Sequence, residues 1–147
     1  MKRLSALFYS LIIGASSFAS PVKNINEKLL QTFKESFPNA EQVNWKELKE
    51  TYVVDFVEDG VRSEIIYEKS GTFVSSTRYY KEKNLPYYLL INIKKRYPEK
   101  KILGVTEIST IDDIFYYIKM EDKTVVTTIK LDSEGNLVLV EKLKKAS

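Results

Sequence analysis

Shifted by sixty residues, this chain falls on itself, and no other feature narrows its fold as far. Ile25, Leu29, Leu30, Phe33, Phe37 and Pro38 coincide with Leu85, Leu89, Leu90, Ile93, Tyr97 and Pro98. Apolar residues at that spacing form one stripe along an α-helix, so the chain carries the same amphipathic helix twice. Asn24 followed by Glu27 predicts a capping pair for the first helix. Asn84 is the expected cap of the second, with Pro86 in its first turn. Each helix should end near Phe37 or Tyr97, because a residue that precedes proline is pushed out of the helical region.

The repeat continues into strands. Val43, Trp45 and Val54 match Leu103, Val105 and Ile118. From Tyr52 onward the shift is sixty-four, so that Tyr52 falls on Tyr116, Phe56 on Met120, Ile65 on Ile129 and Gly71 on Gly135. The extra length lies in the Ser109 to Asp113 loop, where an insertion costs little. The expected fold is α+β: two tandem repeats, each a helix plus a four-stranded antiparallel sheet, with the helices packed on one face. Repeat one spans 24–80 and repeat two 84–144, and residues 20–147 form one domain. The strands are read at 42–48, 51–58, 61–68 and 72–80, then 102–109, 114–121, 124–132 and 136–144. Because each repeat alone would bare a sheet edge, the strands are expected to join in one sheet of about eight.

Asp59-Gly60 is a two-residue hairpin signal, and it sets Phe56 opposite Ser63 and Val54 opposite Ile65. One face then gathers Val43, Trp45, Tyr52, Val54, Phe56, Ile65, Tyr67 and Phe73, matched in repeat two by Tyr116, Ile118, Met120, Ile129 and Leu131. It is nearly all apolar and belongs under the helices. The opposite face mixes Val53, Ile66, Val74, Val126, Val138 and Val140 with Asp55, Arg62, Glu64, Arg78, Tyr80, Tyr117, Lys119 and Lys130. Nothing is left in the chain to cover it.

The run Phe37-Pro38-Asn39-Ala40, then Val43, Trp45, Asp59-Gly60, Ser70-Gly71 and Leu85-Pro86, resembles the PepSY-like family of exported bacterial proteins, which are similar to β-lactamase-inhibitor protein. The resemblance covers essentially the whole chain after the leader. It implies tandem helix-plus-sheet units, a place in the periplasm or outside the cell, and no enzymatic activity. No inhibitory-loop motif is present to carry inhibition over, and Val105 stands where the second tryptophan would be.

The N-terminus agrees with export. Lys2 and Arg3 precede an uncharged run from Leu4 to Phe18, and Ser17-Phe18-Ala19 offers small residues to a signal peptidase. Residues 1–19 are thus expected to be a signal peptide cleaved near Ala19, too short in its apolar run for a stable membrane span. Losing Lys2 and Arg3 takes the basic residues from 23 to 21, against 20 acidic ones. That near-balance gives no reason to expect nucleic acid as a partner.

The chain has no histidine and no cysteine. The usual general base, the thiol nucleophile and the two commonest transition-metal ligands are missing, so no catalytic residue, metal or cofactor is expected. Asp55 and Glu64 are the one carboxylate pair placed for glycosidic chemistry, and Arg62, Arg78 and Lys119 stand ready to neutralise them. Asp112-Asp113 and Asp132-Ser133-Glu134 read as turns rather than calcium loops. Exposed tyrosine beside arginine is the composition of a binding interface. The expected function is a non-catalytic binding protein, an inhibitor or an envelope sensor. Its open sheet face would take a protein or peptide partner in the cell envelope or outside the cell, through Asp55, Arg62, Glu64, Arg78, Tyr80, Tyr117, Lys119 and Lys130. The alternative is a small-molecule or ion carrier with a pocket between sheet and helices, lined by Trp45, Phe56 and Leu89.

Overall fold

A computed structural model describes Val22 and residues 24–146. The expected signal segment, 1–19, lies outside the described residues. Helix α1 spans Glu27–Ser36 and is followed by β1 Glu41–Glu47, β2 Thr51–Glu58, β3 Val61–Glu68 and β4 Phe73–Tyr80. A short 3-10 turn over Glu82–Asn84 leads to α2 Tyr87–Arg96, then β5 Lys101–Thr110, β6 Ile114–Glu121, β7 Val125–Asp132 and β8 Leu137–Lys144. No helix among the described residues is long and apolar enough to cross a membrane.

The expected fold class needs correction. The strands do not make two helix-plus-four-strand sheets. They make one eight-stranded antiparallel sheet in the order β1-β2-β3-β4-β5-β6-β7-β8, each strand beside its sequence neighbour. Two helices of ten residues each accompany it, so the molecule is mostly β. The physical reason is the pairing of β4 with β5 across the repeat boundary, from Ser75 opposite Thr110 to Tyr80 opposite Val105. That ladder satisfies the backbone groups that a separate four-stranded sheet would leave bare on each side. Strand bounds fall within one residue of those expected, and the Asp59-Gly60 hairpin sets Phe56 opposite Ser63 and Val54 opposite Ile65.

The caps also differ from expectation. Asn26, not Asn24, caps α1, its Oδ1 accepting from the Lys28 amide at 2.9 Å. Asn24 instead offers its carbonyl to the Tyr52 hydroxyl at 2.9 Å. Asn84 belongs to the 3-10 turn, and Pro86 takes the N-cap position of α2 without a side-chain bond. Both helices do end at the residue before proline, with Phe37 and Tyr97 as C-caps.

Both helices lie on one face. Leu29 and Phe33 of α1 and Leu89 and Ile93 of α2 are buried, at equivalent places in the repeat. Phe33 packs with Val54, Phe56 and Ile65, flanked by Phe37, Trp45, Tyr67 and Phe73. Leu89 and Ile93 pack with Ile102, Val105, Ile118, Met120, Ile129 and Leu131. Val61 and Tyr80, from β3 and β4, belong to this second cluster too, so the core does not divide where the repeat does. Turns after β3 and β7 tuck beneath the helices. A Cβ at Gly71 would lie 3.8 Å from Leu29 Cβ, and one at Gly135 would lie 3.2 Å from Asn92 Nδ2. Both glycines have φ near +90°, where a side chain is strained in any case.

Candidate binding face

The face away from the helices has no covering element among the described residues. Its composition follows from the register. One row runs Arg62, Tyr79, Thr106, Tyr117, Lys130 across β3, β4, β5, β6 and β7, each residue directly opposite the next. Two aromatic rings thus stand either side of Thr106, and a cation closes each end. Arg62 lies 5.9 Å from the Tyr79 ring centre, and Lys130 lies 5.7 Å from that of Tyr117 and 3.8 Å from that of Phe115. Cations held over ring faces gain modestly at exposed sites and more when a partner excludes water. The adjoining row runs Asn44, Asp55, Glu64, Thr77, Ile108, Phe115.

A groove of about 540 Å³ opens at one end of this face. Tyr79, Thr106, Tyr117, Lys119 and Thr128 form part of its wall, with Lys81, Lys83 and the Asp59-Gly60 turn around it. Gly104 lies at a bulge in β5, where the register shifts between Ile102 and Gly104. Its missing side chain leaves open the ground between Tyr79, Tyr117 and Lys119.

Six of the eight residues expected on this face are there: Asp55, Arg62, Glu64, Tyr117, Lys119 and Lys130. Arg78 and Tyr80 are not. The register of β3 against β4 shifts between Ile66, opposite Ser75, and Tyr67, opposite Phe73. The extra residue, Val74, is a β-bulge, and one residue of slip sends every later side chain to the other face. Arg78 and Tyr80 therefore stand on the helix side, and Tyr79 takes the open face. Strict alternation from Phe73 misses this. Ser75, Ser76, Thr77 and Arg78 are polar at both parities, so the sequence pattern does not resist the slip.

On the helix side Arg78 and Tyr80 meet Glu107 across the β4–β5 ladder. Arg78 Nη1 lies 3.2 Å from Glu107 Oε1, and the Tyr80 hydroxyl donates to Oε2 at 2.5 Å. Burial, and then the hydrogen bond to Glu107, hold the Tyr80 phenol well above its ordinary value. Burial also raises Tyr116, which lies opposite Glu107. This trio welds β4 to β5.

The Asp55 and Glu64 carboxylates face each other across β2 and β3, but Lys46 Nζ holds Asp55 Oδ2 at 2.7 Å. A carboxylate already neutralised by a lysine is poorly placed to serve as a general acid. Asp132 accepts from the Asn136 side chain, which does most to lower its pKa, and from the amides of Asn136 and Glu134, which tie its oxygens into the turn. In the first core cluster the Phe33–Phe56, Phe33–Trp45 and Phe37–Phe56 ring centres are 5.1, 5.3 and 4.7 Å apart. Rings in contact leave no room between them for a ligand. Leu89 is fully buried in the other cluster, so Trp45, Phe56 and Leu89 do not line one pocket.

No protein-family model matches the chain, and no curated protein does. Solved structures match its fold. A BLIP-like protein from Bacteroides fragilis shares 18% identity over 82% of this chain and 86% of its own, with a TM-score of 0.57. A DUF2874 family protein from Bacteroides uniformis shares 14%, covering 81% and 88%, with the same TM-score. A protein from Bacteroides eggerthii, provisionally assigned to the periplasm, shares 14% over 82% and 89%, again at 0.57. The chain therefore has a BLIP-like fold. These similarities support the fold implied by the resemblance to β-lactamase-inhibitor protein and leave its PepSY-like side without support.

Proposed function

We propose that this BLIP-like chain is an exported, non-catalytic binding protein that takes a protein or peptide partner on the open face of its sheet. The observation that carries the reading is the row Arg62, Tyr79, Thr106, Tyr117, Lys130, with the groove at Gly104 beside it. Rigid strands hold two tyrosines at fixed separation, and tyrosine loses little conformational freedom on contact. Cations at both ends and Lys119 alongside would form the polar rim around an aromatic centre. Asp55 and Glu64 sit on the next row, where Lys46 tempers one of them. Arg78 and Tyr80 leave the proposed contact set, and Tyr79 enters it.

Export supports the reading from two sides. Residues 1–19 have the polarity of a signal peptide, and one structural neighbour carries a provisional periplasmic assignment. The partner would then be met in the periplasm or beyond the cell. The lack of histidine and cysteine and the Lys46–Asp55 pair argue against catalysis.

The test is affinity capture from cell-envelope extract with the mature chain, its Tyr79→Ala/Tyr117→Ala variant, and a Lys34→Ala/Lys95→Ala variant on the helices as control. Proteins retained by the mature chain and the control, but lost by the tyrosine variant, support the open face. Equal recovery by all three overturns it.

A further inference from the structure

The two edge strands of the sheet are copies of the two strands that pair at its centre. By the repeat, β8 is the counterpart of β4 and β1 that of β5. The β4–β5 ladder sets Thr77 opposite Ile108, Arg78 opposite Glu107, Tyr79 opposite Thr106 and Tyr80 opposite Val105. Carried by sixty-four residues onto β8 and back by sixty onto β1, these four pairs become Glu141 with Leu48, Lys142 with Glu47, Leu143 with Lys46 and Lys144 with Trp45. We propose that a second copy of this chain docks at the sheet edge, β8 of one molecule against β1 of the next, in the register of the β4–β5 junction.

Charge supports that occupant. The Arg78–Glu107 ion pair of the internal junction is replaced by Lys142 facing Glu47, a like-for-like exchange in sign. The faces agree as well. Lys142 lies opposite Thr127 and Glu47 opposite Tyr52, both buried on the helix side, where Arg78 and Glu107 also stand. Lys144, on the same side, would come over Trp45 as a cation over a ring. On the open face Glu141 and Lys46 would lie diagonally across the joint, within reach of each other.

Accessibility supports it too. Leu139, Val140 and Leu143 of β8 are about half exposed, as are Val43 of β1 and Leu48 just beyond it. Lys142 and Lys144 make no ion pair among the described residues. Glu47 is held by Lys69 at 2.6 Å, with 45% of its side chain exposed, a pairing weak enough to be exchanged. The joint is heterologous, so it extends as an open chain of copies rather than closing as a symmetric pair.

The chain has no cysteine, which makes disulfide trapping clean. Opposed residues of an antiparallel ladder have Cα atoms about 4.5–5.5 Å apart, inside the range a disulfide needs. Mature Glu47→Cys and Lys142→Cys proteins, mixed in equal amounts and oxidised, should give the mixed disulfide in large excess over either self-dimer. A Glu47→Cys with Lys95→Cys mixture, which puts the second thiol on α2, sets the background. A dominant Lys142→Cys self-dimer would mean symmetric edge pairing and overturn the proposal. A mixed product no greater than background would overturn it too. In parallel, sedimentation velocity should show concentration-dependent association of the mature chain. Lys142→Glu should weaken it roughly tenfold or more, and mixing that variant with Glu47→Lys should restore it. Variants are compared only where circular dichroism shows the native sheet. A monomer at all concentrations, or weakening without rescue, contradicts the proposed register.

Discussion

Helix α1 rests on rings, and helix α2 rests on aliphatic side chains. Phe33 of α1 and its C-cap Phe37 join Trp45, Phe56, Tyr67 and Phe73 in a chain of tilted, edge-on and stacked contacts with centres 4.7 to 6.5 Å apart. Beneath α2, Leu89, Ile93, Ile102, Val105, Ile118, Met120, Ile129 and Leu131 are all buried, five of them at 0% exposure. The first cluster has four buried members, with Trp45, Tyr67 and Phe73 only partly covered at its rim. The second has twelve, and two of them, Val61 and Tyr80, come from strands of the first repeat. One apolar pattern is thus filled in two ways, and the better-sealed half reaches across the boundary. The first half leans on the second for its own last strand.

The sharpest way to break this comparison is to hollow out the second cluster. Ile118→Ala removes a fully buried side chain and should cost about 2–5 kcal/mol. Because Val61 and Tyr80 share that cluster, chemical denaturation should show the loss in both halves equally. A variant in which only the second half softens would separate the two cores.

The turn glycines give the next largest effect. Both have positive φ, so alanine at either is strained by about 1–2 kcal/mol. Gly135→Ala should cost more than Gly71→Ala, since its Cβ would meet Asn92 at 3.2 Å rather than Leu29 at 3.8 Å. Thermal melts of the two variants check the order.

At the junction, Tyr80→Phe removes the hydrogen bond to Glu107 and should cost about 1 kcal/mol, while Tyr79→Phe, on the open face, should stay within about 0.5 kcal/mol of wild type. The pair tests the face assignment directly. The pH dependence carries a sign. Folded Tyr80 keeps a proton that the unfolded chain releases near its ordinary pKa of about 10. Its contribution is therefore whole below that pH and lost as pH rises above it. Denaturation midpoints should fall on the alkaline side, and less steeply in Tyr80→Phe. Burial raises Tyr67 and Tyr116 in the same direction, so some slope remains.

The smallest effect should have the opposite sign. Thr127 is fully buried opposite Met120, and its hydroxyl finds no partner among the described residues. Its repeat counterpart is Ser63, also buried. Thr127→Val keeps the shape and drops the hydroxyl, which should leave stability unchanged or raise it by about 1 kcal/mol.

These particulars show what the chain's letters carry and what they do not. The Asp59-Gly60 turn fixed the β2–β3 register, because a two-residue loop sets Glu58 opposite Val61 and every later pair follows from that one. The helices were legible for a similar reason: their stripe recurs with its closing proline. The bulge at Val74 was not. Its cause is a backbone choice in a run polar on both sides, and it moved Arg78 and Tyr80 from the open face to the interior. Bulges in β1 and β5, at equivalent places, were equally silent, and the first leaves Val43 41% exposed at the sheet edge. Of the open-face row, Arg62, Tyr117 and Lys130 follow from alternation alone. Tyr79 is placed by the bulge. The joining of all the strands in one sheet was legible from the cost of bare edges, and the β4–β5 ladder makes it.

The central claim is that the two repeats form one cooperative unit with one continuous face. The only tryptophan, Trp45, lies in the first half and reports on it alone. Far-ultraviolet circular dichroism reports on the whole sheet. Urea unfolding of residues 20–147 should be followed by both. The account predicts a single transition with coincident midpoints and slopes. A tryptophan transition displaced from that of the sheet would mean that the halves unfold independently, and would contradict it.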